Sequence, residues 1–211
     1  MEEKIEFHYK KKPIYSFFKR FFDIILSLLG IIILSWLFIL IAIIIKCTSK
    51  GPVFYVSWRI GKNMKPFKIY KFRSMVDGAE KDLEKYLERS DRIGTFKLKD
   101  DPRITKFGKF LRKTSLDELP QFFNILNGTM TIVGPRPCVE REMQAMNELE
   151  KNRFLVPQGL TCIWQVSGRA NKSFAEQLNM DLKYVMKRGF FYDIWLIIKT
   201  IPAVLFGKGA E

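Results

Sequence analysis

The sequence predicts an α+β fold: a membrane-inserted, re-entrant N-terminal helix, then a small, mainly helical domain with one short β-hairpin, then an interfacial amphipathic segment. Three observations predict it. From Ile24 to Ile45 the residues are apolar apart from Ser27, Gly30 and Ser35, a run that meets the ~20 residues needed to cross a hydrocarbon core as a helix. Two short β-patterned stretches flank a turn at 61–66, and helix-start signals dominate the remainder of the chain. The chain divides accordingly into an anchoring segment, 17–50, a compact domain, 51–189, and a C-terminal interfacial segment, 190–211.

The anchoring segment is too long for the apolar core of a signal peptide, and no small-residue cleavage site comes after it. Lys10, Lys11, Lys12, Lys19 and Arg20 precede it, and Lys46, Lys50, Arg59 and Lys62 lie beyond it. Positive charge favours the cytoplasmic side, so a segment that enters and leaves by one face satisfies both flanks. A straight 22-residue helix, about 33 Å long at 1.5 Å per residue, would also suffice to span. Asp23, at the boundary, is expected to pair with Lys19 or Arg20.

Beyond Gly51-Pro52, residues 53–60 and 67–74 read as strands, with Phe67, Ile69, Lys71 and Arg73 on one face. Residues 77–89 read as a helix opened by an Asp77/Glu80 capping box, and 139–153 as another with Val139, Met143, Met146 and Leu149 on one side. Ser173 with Glu176 opens a third, ended by Gly189. Residues 190–201, stopped by Pro202, are too short to span; an interfacial helix is expected, with core packing as the alternative.

The composition bounds the chemistry. A formal net charge of +14 over 211 residues suits an anionic partner; a nucleic acid would fit the charge, but nothing else points to one, and none is expected. Three scattered cysteines form no CxxC pair and suit a reducing compartment. The single histidine, His8, lies in a polar tail, which disfavours His-dependent triads and His-rich metal sites. Walker A, GxGxxG and Asp-x-Asp patterns are missing. What remains is a dense block from Asp101 to Pro137, containing Asp117-Glu118 among several cations. A carboxylate can attack phosphorus, a second can hold a divalent ion, and arginines can clamp phosphate oxygens. Ser115 and Glu118 also match a capping box, in which case the acids merely start a helix; Pro120 fits that poorly. The residues alone leave both readings open.

The blocks Lys71-Phe72-Arg73-Ser74-Met75, Asp101-Pro102-Arg103, Ser115 to Gln121, Gly134-Pro135-Arg136-Pro137 and Trp164 to Arg169 resemble the bacterial sugar transferase family of monotopic phosphoglycosyl transferases, in order, from about residue 17 to 210. The resemblance implies transfer of a sugar-1-phosphate from a UDP-sugar, glucose or galactose, to polyprenyl (undecaprenyl) phosphate, initiating polysaccharide assembly, by a ping-pong route. It implies Asp117 as nucleophile and Glu118 as the ligand of Mg2+. Arg112, Pro135, Arg136 and Pro137 are implied to meet phosphate or nucleotide, and Lys71 and Arg73 to serve the same anionic site. The enzyme would lie on the cytoplasmic face of the inner membrane among its phospholipids, and a homodimer is compatible with the sequence. Two departures stand out: Trp36 follows Ser35 where the family has proline, and Ser57 stands two residues before Arg59 in place of glutamine. The alternative is a non-catalytic membrane-associated scaffold of the same fold.

Overall fold

A computed structural model describes residues 6–80, 101–168 and 172–205. The first element is one helix of 36 residues, α1 (Pro13–Thr48). Proline suits its first position because it has no N–H to leave unpaired. The helix ends at Ser49, and Gly51 (φ +113°) turns the chain. Only glycine fits there: a Cβ would sit 2.0 Å from the Arg73 guanidinium.

One narrow stripe of α1 faces the domain along almost its whole length. Asp23, Ser27, Ile41 and Ile45 are buried on it, and the Phe122 ring lies against Gly30, 3.1 Å from where a Cβ would be. The 3–4-residue spacing is that of one helix face. The other faces expose Phe17, Phe21, Leu29, Ile33, Trp36, Ile39 and Ile43.

Strands β1 (Phe54–Ile60) and β2 (Pro66–Phe72) pair antiparallel with Tyr55 opposite Lys71, joined through a 3-10 turn at Lys62–Met64. Side-chain alternation sends Phe67 and Ile69 to one cluster, with Ile125 and Met130, and Phe72 to another, with Ile41, Ile45 and Leu111. The hairpin is therefore as expected. Residues 77–80 form a turn, Glu80 accepting from the Tyr55 hydroxyl, and the rest of the helix expected over 77–89 lies outside the described residues.

Helix α2 (Lys106–Lys113), capped by the Thr105 hydroxyl, leads into a 3-10 turn at Leu116–Glu118 and then α3 (Gln121–Leu126). Strand β3 (Thr131–Val133) pairs in parallel with β4 (Gly159–Thr161). Between them, the single helix expected over 139–153 is instead two pieces, α4 (Glu140–Gln144) and a 3-10 helix at Glu150–Leu155. Asn147 divides them: its side chain accepts from the Glu150 N–H, and the Glu150 carboxylate accepts from the Asn147 N–H. This reciprocal capping starts a new helix and overrides the apolar periodicity. Leu149, expected on the packed side, is 40% exposed.

A short helix α5 (Ile163–Val166) precedes α6 (Phe174–Lys187), which opens on the expected Ser173/Glu176 capping box. The last helix, α7 (Phe190–Leu205), runs through Pro202 rather than stopping before it. Proline removes only the bond to the Ile198 carbonyl, and so near the end the last turn survives. Leu196 of α7 is fully buried with Val133, Tyr184 and Val185, while Phe191, Trp195, Ile198 and Ile201 are exposed. One face packs in the core and the other is apolar and open.

The Asp23 pairing with Lys19 or Arg20 does not form. Asp23 accepts from the Thr131 hydroxyl at 2.6 Å and the Ile132 N–H at 3.0 Å, so it fixes α1 to β3. Lys19 reaches Asp193 at 2.6 Å, and Arg20 donates to the last carbonyls of α3, Ile125 and Leu126. Both cations are drawn to partners on other elements because this side of α1 faces the domain, not a head-group layer.

Candidate active site

The acid pair sits in the 3-10 turn between α2 and α3. Ser115 takes a left-handed conformation (φ 57°) and its side chain caps nothing, so the capping-box alternative is not what forms. Pro120 is instead the residue that starts α3. Leu116 and Leu119, three apart in the tight turn, pack into the cluster around Phe72 and Leu111. Their anchoring leaves Asp117 and Glu118 to face the other way, over the end of β2.

Lys71 is the residue of β2 that meets them. Its Nζ lies 2.8 Å from Glu118 Oε1 and 4.0 Å from Asp117 Oδ2. Arg136 adds a second cation to Glu118, with Nη2 at 2.6 Å from Oε1 and Nη1 at 3.4 Å from Oε2. The two carboxylates are thus unequal. Glu118 has both oxygens occupied by cations, whereas no hydrogen-bond donor lies on the Asp117 carboxylate among the described residues.

Their protonation differs accordingly. Burial opposes ionisation of Glu118, but Arg136 and Lys71 outweigh it and hold its carboxyl well below the usual range. Burial pushes the Asp117 carboxyl up, with the neighbouring Glu118 charge adding to it and Lys71 opposing. Burial lowers the Arg112 pKa, with Asp117 and Asp101 pulling the other way.

Arg112, in the last turn of α2, donates through Nε to the Ser74 hydroxyl at 2.9 Å and lies within electrostatic reach of Asp117. Three cations, Lys71, Arg112 and Arg136, therefore surround two carboxylates. Arg136 is held from behind: its carbonyl accepts from Arg153 at 2.6 Å, and Arg153 pairs with Asp181 at 2.6 Å, both fully buried. Its guanidinium also lies 5.9 Å over the Trp164 ring. Pro135 and Pro137 flank it, and the Pro135 carbonyl accepts from Gly159 at 2.8 Å. Gly134 and Gly159 let the two backbones touch here, since a Cβ on Gly159 would lie 2.1 Å from the Gly134 nitrogen.

Arg73 is not brought to the site. The strand ends at Phe72, and the Arg73 guanidinium turns to the carbonyls of Ser49 and Lys50 and to the Ser49 hydroxyl, tying β2 to the end of α1. The Asp101-Pro102-Arg103 block closes on itself, Arg103 gripping Asp101 through Nε and Nη2. Ser74, Trp164, Arg153 and Asp181 are positioning groups to which the sequence alone assigns no role. The available signal was Asp181, an acid on the apolar face of α6 beside Leu178, Leu182 and Val185. Arg169 lies outside the described residues.

The donor set suits Mg2+ in kind, because that ion takes one or two carboxylates together with substrate phosphates. Among the described residues no third His, Cys, Asp or Glu joins the pair. An ion on Glu118 would replace one of its present cation contacts.

A buried carboxylate pair within a ring of cations, one acid held and one open, defines an enzyme built to handle phosphate esters. The chain matches the family model described as bacterial sugar transferase over residues 14–207. It is 40% identical over 204 residues to the exopolysaccharide production protein ExoY of Sinorhizobium fredii, covering 94% of this chain and 90% of that one. It is 42% identical over 200 residues to the undecaprenyl-phosphate galactose phosphotransferase of Salmonella typhimurium, covering 92% of this chain and 42% of that one. With the UDP-glucose:undecaprenyl-phosphate glucose-1-phosphate transferase of Escherichia coli the identity is 36%, over 91% of this chain and 41% of the relative. The chain belongs to the bacterial sugar transferase family and is a phosphoglycosyl transferase.

Proposed function

We propose that the protein transfers a hexose-1-phosphate, from UDP-glucose or UDP-galactose, to undecaprenyl phosphate through a covalent intermediate on Asp117. The observation that carries this reading is the inequality of the acid pair: Asp117 is free to attack while Glu118 is held by Lys71 and Arg136. In the first step an Asp117 oxygen bonds to the phosphorus that bears the sugar, and the bond from that phosphorus to the bridging oxygen breaks, releasing UMP. In the second, a phosphate oxygen of the polyprenyl phosphate bonds to the same phosphorus and Asp117 leaves as carboxylate. Arg112 and Arg136 suit the phosphate oxygens, since guanidinium offers paired donors. Bound Mg2+, held by Glu118, would neutralise phosphate charge. The names of the Salmonella and Escherichia relatives support the hexose and the lipid acceptor.

The apolar outer faces of α1 and α7 suit a bilayer on the cytoplasmic side, where UDP-sugars are found. Re-entry is supported by the packing of α1. Arg20, in its first half, donates to the carbonyls at the end of α3, and Phe38, in its second half, meets Phe123 of the same helix edge-on at 6.1 Å. Both halves of α1 thus stay with the domain. UMP release from a panel of UDP-sugars, in lipid particles with undecaprenyl phosphate, tests the reaction; turnover only of UDP-N-acetylamino sugars would refute the hexose. For topology, a lone cysteine at Lys11 in a cysteine-free variant should react with an impermeant reagent only after the inner membrane is permeabilised. Labelling from the periplasm would exclude re-entry.

A further inference from the structure

The start of α1 and the start of α7 converge on a groove of about 490 Å³, lined by Ile14, Tyr15, Phe18, Phe22, Gly189 and Phe190. It opens within the apolar surface that Phe17, Phe21 and Phe191 continue. The chain segments entering the two helices bring cations to one end of it. Arg188 donates to the Lys10 carbonyl at 2.7 Å, Lys12 donates to the Arg188 carbonyl, and the Arg188 guanidinium lies 4.8 Å over the Tyr9 ring.

None of Lys10, Lys12 and Arg188 is ion-paired to a carboxylate among the described residues. The nearby acid is already occupied: Asp193 takes Lys19 at 2.6 Å and the hydroxyls of Tyr15 and Tyr184. Burial, then the charges of Arg188 and Lys10, makes the Lys12 ammonium less favourable than usual. Charge repulsion held together by backbone hydrogen bonds leaves a local need for an anion.

We propose that this groove binds an anionic phospholipid, one acyl chain lying among the aromatic rings and the phosphate taken by Lys10 and Lys12. The occupant is a bilayer lipid and not the acceptor substrate, because neither the lining nor the cations belong to the ring of Lys71, Arg112 and Arg136 around the acids. The site rests on the membrane-facing reading of α1 and α7. It adds a fixed headgroup contact that would set how the N-terminal ends of these helices sit at the interface.

The test uses the full chain in non-ionic detergent, with native mass spectrometry of added phosphatidylglycerol or phosphatidylcholine of matched acyl chains. Phosphatidylglycerol should be retained selectively, and Lys10→Gln with Lys12→Gln should weaken it by roughly tenfold or more. The same charge loss on the hairpin turn, Lys62→Gln with Lys65→Gln, should leave retention unchanged. Phe18→Ser, which keeps the charges and opens the apolar wall, should also weaken it. Equal retention of both lipids, or insensitivity to the Lys10 and Lys12 changes, would overturn the proposal. So would one-for-one displacement by polyprenyl phosphate, which would make this the acceptor's site. Fractionation of wild-type protein with membranes is measured separately, so failure of the lipid site is distinguishable from failure of membrane association.

Discussion

Arg136 holds Glu118 with both terminal nitrogens, at 2.6 and 3.4 Å, while its own carbonyl is held by Arg153. Lysine at 136 could keep one contact but neither the fork nor the flat face over Trp164. Loss of a charge-assisted bond of about 1.5–3 kcal/mol gives a fall in kcat/KM of roughly ten- to a hundredfold for Arg136→Lys. Trp164→Leu removes only the stacking contribution and should give a smaller loss, about three- to tenfold. Steady-state kinetics on folded variants decides it; near wild-type turnover for Arg136→Lys would assign the residue a purely structural place.

Asp117→Asn should abolish both UMP release and the phosphosugar adduct seen by mass spectrometry, and an adduct on another residue would reassign the nucleophile. The pH dependence separates the two acids further. Attack requires ionised Asp117, whose pKa burial raises, so the rising limb of kcat/KM should lie above the ordinary carboxylate value of about 4. Glu118→Gln removes a charge that raises the Asp117 pKa and frees Lys71 to serve it. Without added divalent ion, the Asp117 carboxyl should therefore titrate lower in the variant than in the wild type, followed by infrared spectroscopy of the isotope-labelled carboxylate. A shift in the other direction would contradict the electrostatic account.

The Arg153–Asp181 pair yields a stability prediction. Burial raises the Asp181 carboxyl to about 6 despite Arg153. Between an unfolded value near 4 and about 6 the native state binds the proton more readily than the unfolded chain. Stability from this group is thus present below about pH 4 and falls as pH rises through about 6, by roughly 3 kcal/mol in all. Asp181→Asn keeps an acceptor for Arg153 but has no proton to take up, so that fall in stability between about pH 4 and 6 should vanish. Arg153→Met with Asp181→Leu should likewise flatten the profile in thermal unfolding, yet remain slow, because the Arg136 carbonyl has lost its donor. Full recovery of turnover would show the pair to be mere packing.

Arg73 should behave differently from Lys71. Because its guanidinium binds the carbonyls of Ser49 and Lys50, Arg73→Gln should lower the unfolding temperature without raising the KM for the UDP-sugar. Gly51→Ala should destabilise by more than about 1 kcal/mol, from the positive φ and the crowding against Arg73 together. An Arg73 variant that folds normally but binds nucleotide poorly would return Arg73 to the anionic site.

The parts legible in the sequence were those set by local chemistry. The apolar run, the hairpin and the Ser173/Glu176 cap each arise from residues adjacent in the chain. Strand alternation fixes the direction of Lys71, which meets the acid pair, whereas Arg73 escapes that rule by standing one residue past the end of β2. The break at Asn147 was invisible to periodicity, since Met143 and Met146 do pack together in one cluster on either side of α4's end. The acids at 117 and 118 were ambiguous for a similar reason: what separates a helix cap from an open site is the left-handed Ser115 and the arrival of Lys71 and Arg136 from distant segments. Arg153, behind Arg136, depends wholly on long-range packing.

The docked stripe of α1 bears on how such a protein can come into being. Ile41 and Ile45 close the cluster that holds Phe72 and Leu111, and Asp23 satisfies the backbone of β3. The domain cannot complete its interior without α1, because that helix supplies one of its walls. Cutting after Thr48 would yield no free-standing catalyst, only a fragment with a bared apolar trough and an unpartnered Thr131 hydroxyl. Assembly of the enzyme and placement of its apolar helix are therefore a single event.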